Sequence, residues 1–438
     1  MNIIIAILVL GAIIFIHELG HMIAARLCGV RVTEFSLGFG PRLFSFTAGD
    51  TKYSLKLIPL GGSCAMLGDI APYENEDGEI VQELSPDSFP AQHPLKRAFI
   101  ALAGPLFNFL LAFILGFICV SVAGVNPPVI TSVDRNSRAA ITSLREGDLI
   151  LEIDGQKMHT GADVLLYAMT EDITTKDTID LFIERDGKQF GMSYSPKYTR
   201  YMVGISYMNT EDPAEITAVG MDTPAAKAGL AVGDIITSVN GAPVKSGIDL
   251  QMIFTVNSVN SKPMQFTVLR AGKEYEFTAV PELISGYSLG FSAFSYREES
   301  DFAGYLEGGF QEVVYAVKST FYSIRMLFTG QAGVEDLSGP VGIVSLIGDT
   351  VEETKEYGAE ATILSILSIA ILLSANLGIV NMIPLPALDG GRILFSLIEL
   401  VTKKKIQPKT EGIINVATFA LLMALMVFIT FNDIRNLF

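Results

Sequence analysis

Tryptophan is absent from this 438-residue chain, histidine occurs 4 times and cysteine 3 times. Without tryptophan, any aromatic belt at a membrane surface has to be built from Tyr and Phe. Cys28, Cys64 and Cys119 lie far apart with no CxxC pair, which excludes a disulfide framework and a cysteine zinc site. A basic excess is missing too. The chain sets 31 Lys and Arg against 47 Asp and Glu, a net charge of −16, so no basic surface exists to neutralise nucleic-acid phosphates. Charge of either sign is scarce, at 18% against 50% hydrophobic residues. With a mean hydropathy of +0.42, that balance excludes a disordered chain and speaks against an ordinary cytosolic enzyme.

Charge is almost missing from four stretches: Ile3 to Leu27, Ala98 to Val125, Ala361 to Ile383 and Gly412 to Phe431. Each is long enough to cross a hydrocarbon core of about 30 Å at about 1.5 Å per residue. The first lacks the basic n-region and small-residue cleavage site of a signal peptide. It also carries His17, Glu18 and His21. Four transmembrane helices are expected. Asn126 to Glu360, between the second and third, holds 18 Lys and Arg against 33 Asp and Glu, a net of −15, and is read as one large soluble insert. The short loops are basic, with Arg26, Arg31, Arg42, Lys52, Lys56, Lys96 and Arg97 in one and Arg392, Lys403, Lys404, Lys405 and Lys409 in the other. Basic residues near span ends mark the cytoplasmic side. Both termini and the insert are therefore expected outside, with the inverted orientation as the alternative.

The insert contains a repeat. Residues 137–158 and 223–244 align at an offset of 86, with identities at Ala139/Ala225, Ala140/Ala226, Leu144/Leu230, Gly147/Gly233, Asp148/Asp234, Ile150/Ile236 and Gly155/Gly241. The pattern is a short helix packing its Ala and Leu face, a Gly-Asp turn, and an apolar strand ending in Asp-Gly or Asn-Gly. It resembles PDZ domains of the bacterial protease type, so a tandem pair of α/β PDZ domains is expected. The first copy has Ser143 where the second has Gly229. The alternative is two spacer domains without ligands. Gly308 to Thr329, with only Glu312, Lys318 and Arg325 charged, reads as an amphipathic helix on the outer membrane surface or a core helix of the soluble part.

His17 and His21 in IIFIHELGHM lie four apart, so on a helix they share one face. That spacing suits two imidazole nitrogens on one Zn²⁺, with Glu18 beside them to take a proton from metal-bound water. Ionisable groups at membrane depth are costly and by default functional. A catalytic zinc needs a third protein ligand. Asp389 is the candidate, at a break marked by Pro384, Pro386, Gly390 and Gly391, where freed backbone groups must face protein or a water-filled cavity. The bland alternatives are histidines hydrogen-bonded within a bundle and an N-cap role for Asp389.

HExxH in the first membrane helix, a PDZ-bearing insert and LDG in a later helix together resemble the site-2 protease family of intramembrane zinc metalloproteases. The likeness is to its bacterial members that regulate envelope stress and sigma factors. It extends over FSLGFGPRLF at 35–44, LIPLGG at 57–62, LAGPLFNFLLA at 102–112, LSGPVGI at 337–343 and LGIVNMIPLPALDGGR at 377–392. The resemblance implies one Zn²⁺ per chain on His17, His21 and Asp389, with Glu18 as general acid/base. It also implies that Asn381, Pro384 and Pro386 seat substrate near the metal. Tyr53 to Leu67, with Leu57, Gly61 and Gly62, would form a membrane-associated β element that pairs with an unwound substrate. The chain departs from the family at Ser63-Cys64, where an aromatic-aliphatic pair is expected after Gly62.

The expected organisation is an N-terminal membrane part (1–125), PDZ-like domains at 126–205 and 206–290, a connecting segment (291–360) and a C-terminal membrane part (361–438). The expected substrates are transmembrane segments of single-pass proteins already trimmed by an upstream site-1 protease, such as anti-sigma factors or signal-peptide remnants. The setting is the lipid bilayer of a bacterial cytoplasmic membrane, with the active site toward the cytoplasm. A non-catalytic scaffold of the same fold and a metal transporter are the rival classes.

Overall fold

The computed structural model describes residues 2–68, 73–74, 80–81, 85–134, 137–256, 259–294, 296–333, 337–404 and 408–436. Lys405 of the second basic loop lies outside them. The chain forms two compact units, one of Met1–Asn126 with Arg297–Phe438 and one of Pro127–Tyr296.

The first unit opens with α1 (Asn2–Leu27). A small antiparallel sheet follows, made by β1 (Val32–Ala48) and β2 (Thr51–Met66). Both strands are long and bent, so each contributes twice. Phe35 pairs with Tyr53 on one side and Cys64 on the other, and the segment from Gly62 to Met66 forms the edge. The Ser63-Cys64 departure leaves this pairing intact, because Ser36 Oγ and Ser63 Oγ hydrogen-bond at 2.8 Å and Cys64 is buried beside Phe35. The long α2 (Pro94–Ala123) starts at a proline, where a missing N–H does no harm, and His93 caps it by accepting from the Leu95 N–H.

After the insert come α3 (Phe302–Thr329), α4 (Pro340–Thr354), α5 (Ala359–Met382), α6 (Asp389–Thr402) and α7 (Pro408–Asn436). Among the described residues, four helices are long and apolar enough to cross a membrane: Ile3–Leu27, Pro94–Ala123, Ala359–Met382 and Gly412–Arg435. They coincide with the four uncharged stretches.

The stretch from 297 to 360 corrects the sequence reading. It packs within the first unit rather than with the soluble repeats. The buried face of α3 (Gly309, Val313, Ala316, Thr320) is neither a free surface helix nor part of a soluble core. Val313 and Ala316 share a cluster with Ala112 and Cys119 of α2 and Ile371 and Ala375 of α5. Small residues let the backbones meet: a Cβ on Gly309 would lie 2.7 Å from Phe117 N, and one on Gly116 2.9 Å from Gly309 O. The acidity divides accordingly. Residues 127–296 hold 14 Lys and Arg against 21 Asp and Glu, a net of −7, and residues 297–360 hold 4 against 12, a net of −8. Less than half of the excess belongs to the second unit. Asp433 of α7 also reaches a segment read as mere connection, its carboxylate accepting from the N–H groups of Gly339 (3.1 Å) and Gly342 (2.8 Å) at the start of α4.

The second unit holds two copies of one sheet. Strands run in the order 156–157, 149–153, 179–185, 188–194 in the first and 242–243, 235–239, 264–270, 273–279 in the second. Their Asp154-Gly155 and Asn240-Gly241 turns both have positive φ at both positions, the conformation that matches strand twist in tight hairpins. Each copy repeats an ion pair on a buried aspartate: Arg185 Nε donates to Asp148 at 2.5 Å and Arg270 Nε to Asp234 at 2.6 Å. Gly229 ends the helix Pro224–Ala228 in left-handed conformation, whereas the first copy, with Ser143 at that point, has only the single turn Ala139–Ile141.

The expected boundary at 205/206 is displaced, because the copies are nested. The first core, around Ile150, Ile183 and Tyr194, is completed by Leu289 and Ala293 from beyond the second copy. The second core, around Ile236 and Phe266, takes Val203 from before it. Two linkers, Lys197–Met202 and Glu282–Tyr287, pair antiparallel between them.

Candidate metal centre

α1 places His17 and His21 one turn apart, both about 7% exposed. Asp389 is the first residue of α6, where a negative charge is favoured by the helix dipole. It is not an N-cap: Leu388 holds that position and no side chain caps the helix. Pro384 and Pro386 lie in the break after α5, which the two glycines allow α6 to sit on. A Cβ at Gly390 would lie 2.2 Å from Ile383 O, and one at Gly391 2.4 Å from Leu385 O.

Three donor atoms converge. Asp389 Oδ2 lies 3.2 Å from Nε2 of both His17 and His21, and the two nitrogens are 3.3 Å apart. Oδ2 is buried and accepts no hydrogen bond. Lone pairs packed in this way repel unless a proton or a metal cation lies between them. A tetrahedral zinc with bonds of about 2.0–2.1 Å has ligand-to-ligand edges of about 3.3–3.4 Å, so the triangle fits that ion. His17, His21 and Asp389 are the only group of three such ligands among the described residues. Room for them is made by α2. A Cβ at Gly104 would lie 2.3 Å from His21 Nε2 and 2.9 Å from His17 Cε1.

The site opens into a cavity of about 580 Å³ lined by Glu18, Phe39, Asn381, Leu388, Arg392 and the sheet edge Gly61–Met66, among others. Glu18 faces that edge: a Cβ at Gly62 would come within 2.9 Å of its Cγ. Asn381 Nδ2 is 3.5 Å from His17 Nε2. Of the residues expected to seat substrate, Asn381, Gly61 and Gly62 line the cavity, whereas Leu57, Pro384 and Pro386 do not. Leu57 is exposed and the prolines act through the chain break. Sequence reasoning missed Gly104 and Asn108. A lone amide in an otherwise apolar span was the available signal for Asn108.

The pattern of peptidase family M50 matches residues 5–425. The chain belongs to peptidase family M50, the site-2 proteases. It is 29% identical to zinc metalloprotease RasP of Geobacillus kaustophilus, with 99% of this chain and 97% of that protein covered. Putative zinc metalloproteases of Treponema pallidum (30% identical, covering 100% of this chain and 99% of the other) and Vibrio cholerae (31%, 100% and 99%) are similarly related. Among solved structures, the HtrA3 PDZ domain is 22% identical over 20% of this chain and 92% of that one, with a TM-score of 0.18. As a member of family M50 the chain is a metalloprotease that acts within the membrane.

Proposed function

We propose that His17, His21 and Asp389 hold one Zn²⁺ per chain, and that Glu18 is the general acid/base for hydrolysis of a substrate's transmembrane segment. The observation that carries this reading is the convergence of three donor atoms beside Glu18, two of them on a helix apolar enough to cross a bilayer.

Bound there, zinc would supply a Lewis acid for the scissile carbonyl and a water of near-neutral pKa. Glu18 takes a proton from the attacking water and returns it to the leaving amine. A substrate helix has its amides already bonded internally, so it must unwind before a carbonyl is accessible. The edge from Gly61 to Met66 borders the cavity, on the side where such an extended segment would add as a further strand. Asn381, 3.5 Å from His17 Nε2, would bond a substrate peptide group.

The shared strand order and nested cores support reading the soluble unit as a tandem PDZ pair, a size filter that admits already-trimmed proteins. In this topology both termini and the pair lie outside a bacterial cytoplasmic membrane, with the basic loops inside. Candidate substrates are anti-sigma factors and signal-peptide remnants left by a site-1 protease.

The test is Glu18→Gln. The variant should fold, carry zinc and fail to cleave a membrane-anchored substrate that the natural protein cuts. Normal cleavage by it overturns the assignment of Glu18. A natural protein that cleaves equally well after zinc is chelated overturns the metal site.

A further inference from the structure

The two zinc-facing nitrogens are Nε2 of each histidine, so each ring's Nδ1 must carry the proton and needs an acceptor. For His21 that acceptor is evident, since Nδ1 lies 2.8 Å from the backbone oxygen of Ile100 in α2. His17 Nδ1 lies 3.2 Å from the side-chain amide of Asn108, two turns further along the same helix. Ile100, Gly104 and Asn108 are spaced by four and form one stripe of α2 against α1. The ends of the stripe serve the two outer nitrogens, and its middle leaves room for the rings.

Asn108 is fully buried, at 0% exposure. Between Arg97 and Cys119 it is the one side chain of α2 with a strong hydrogen-bonding group. An amide at such depth is costly without partners. Its own backbone oxygen is held by Ser374 Oγ of α5 at 2.8 Å. Its Oδ1 is buried and unpartnered, while Nδ2 faces the imidazole. An amide nitrogen there would donate to Nδ1 and drive the ring proton onto Nε2, closing that atom to a metal. A half-turn of the amide exchanges the two atoms without changing its shape and gives Oδ1 the Nδ1–H.

We propose that Asn108 is a positioning residue of the metal site. Its side-chain oxygen accepts the Nδ1–H of His17 and holds the ring in the tautomer that leaves Nε2 free for the ion. The inference rests on the zinc assignment above and extends it to a residue that touches neither metal nor substrate. Partners of this kind, when removed, typically reduce metal affinity by about 10–100-fold.

The experiment is a Zn²⁺ competition titration against a chromophoric chelator, on the full-length protein in detergent, with no proteolysis in the readout. Asn108→Leu, similar in volume but without an acceptor, should bind zinc about 10–100-fold more weakly. Asn108→Asp, which keeps an acceptor in place, should stay close to the natural protein. A packing role gives the reverse order, because leucine fills the space and a buried carboxylate disturbs it. Asn108→Ala replaces the Leu variant if that one does not fold, and should show the same loss. Unchanged affinity in Leu or Ala, or weaker binding in Asp than in either, overturns the role of Asn108 and leaves the zinc site standing. A natural protein that holds no zinc, or a His17→Ala protein that holds it as tightly, overturns both.

Discussion

Gly104→Ala adds one methyl group in the middle of α2, against the two imidazole rings. The added carbon would lie 2.3 Å from His21 Nε2, 2.5 Å from His21 Cε1 and 2.9 Å from His17 Cε1. Ordinary contact begins near 3.4 Å, so the His21 ring must retreat by about 1 Å. Metal–ligand distances tolerate only about 0.2 Å. A ring displaced that far leaves the triangle, and the site falls from three ligands to two. Zinc affinity should drop by more than the about 100-fold typical of an outer partner. Overpacking should also lower stability by about 1–3 kcal/mol. The control is Gly11→Ala in α1, where a Cβ would meet nothing within 4 Å. The same substitution there should be neutral or stabilise by about 0.5–1 kcal/mol through helix propensity. The assay is zinc content after dialysis against a weak chelator, beside a thermal melt of each variant. Full zinc retention in Gly104→Ala would refute the placement of both rings against α2.

Other expectations concern residues that donate no atom to the metal triangle. Asp433→Leu removes the acceptor for the Gly339 and Gly342 N–H groups and should cost about 1–3 kcal/mol, seen as faster proteolysis or hydrogen exchange at the start of α4. In the second repeat, burial alone would raise Asp234's pKa, but the Arg270 guanidinium holds it below the ordinary carboxylate value. A depressed folded-state value stabilises above the unfolded-state pKa of about 3.9 and loses that contribution as pH falls through the folded one. Exchange protection around strand 264–270, corrected for intrinsic rates, should therefore weaken only below about pH 4, and Arg270→Gln should weaken it already at neutral pH. Asn415 Oδ1 of α7 accepts from the Ala387 N–H at 3.1 Å, two residues before Asp389. Asn415→Leu should leave that N–H unpaired and reduce zinc affinity, measured by the same competition.

The four spans were legible because hydrocarbon imposes a length and a composition that few other constraints mimic. His17 and His21 were legible because their interval is the helix's own period. Asp389 was legible through the prolines and glycines that interrupt an apolar run. Helix α3 was misplaced for a related reason. Glu312, Lys318 and Arg325 make it look interfacial, while the features that dock it, Gly309 meeting Gly116 and Ala316 clustering with Ala112, carry little hydropathy signal. The nesting of the repeats left a trace in two similar tetrads, Val203-Gly204-Ile205-Ser206 and Leu289-Gly290-Phe291-Ser292. Each is too short to read as a strand by alternation, and each belongs to the copy that its place in the chain would not suggest. Asn108 showed in the sequence only as a lone amide in an apolar helix, with no spacing pattern to name its partner, and the structure supplies the imidazole it faces.

The nested closure sets an order of assembly. A ribosome delivers the second repeat complete by Ala279, with Val203 already in hand, while the first must wait for Leu289 and Ala293. Until then the Tyr194 hydroxyl lacks the Leu289 carbonyl it bonds at 2.6 Å, and the strand 132–133 has no partner. The earlier-coded domain is thus the later to fold, and it spends its youth with an open edge of the kind that invites mispairing. A nascent chain arrested between 280 and 288 would carry one finished repeat and one that cannot finish.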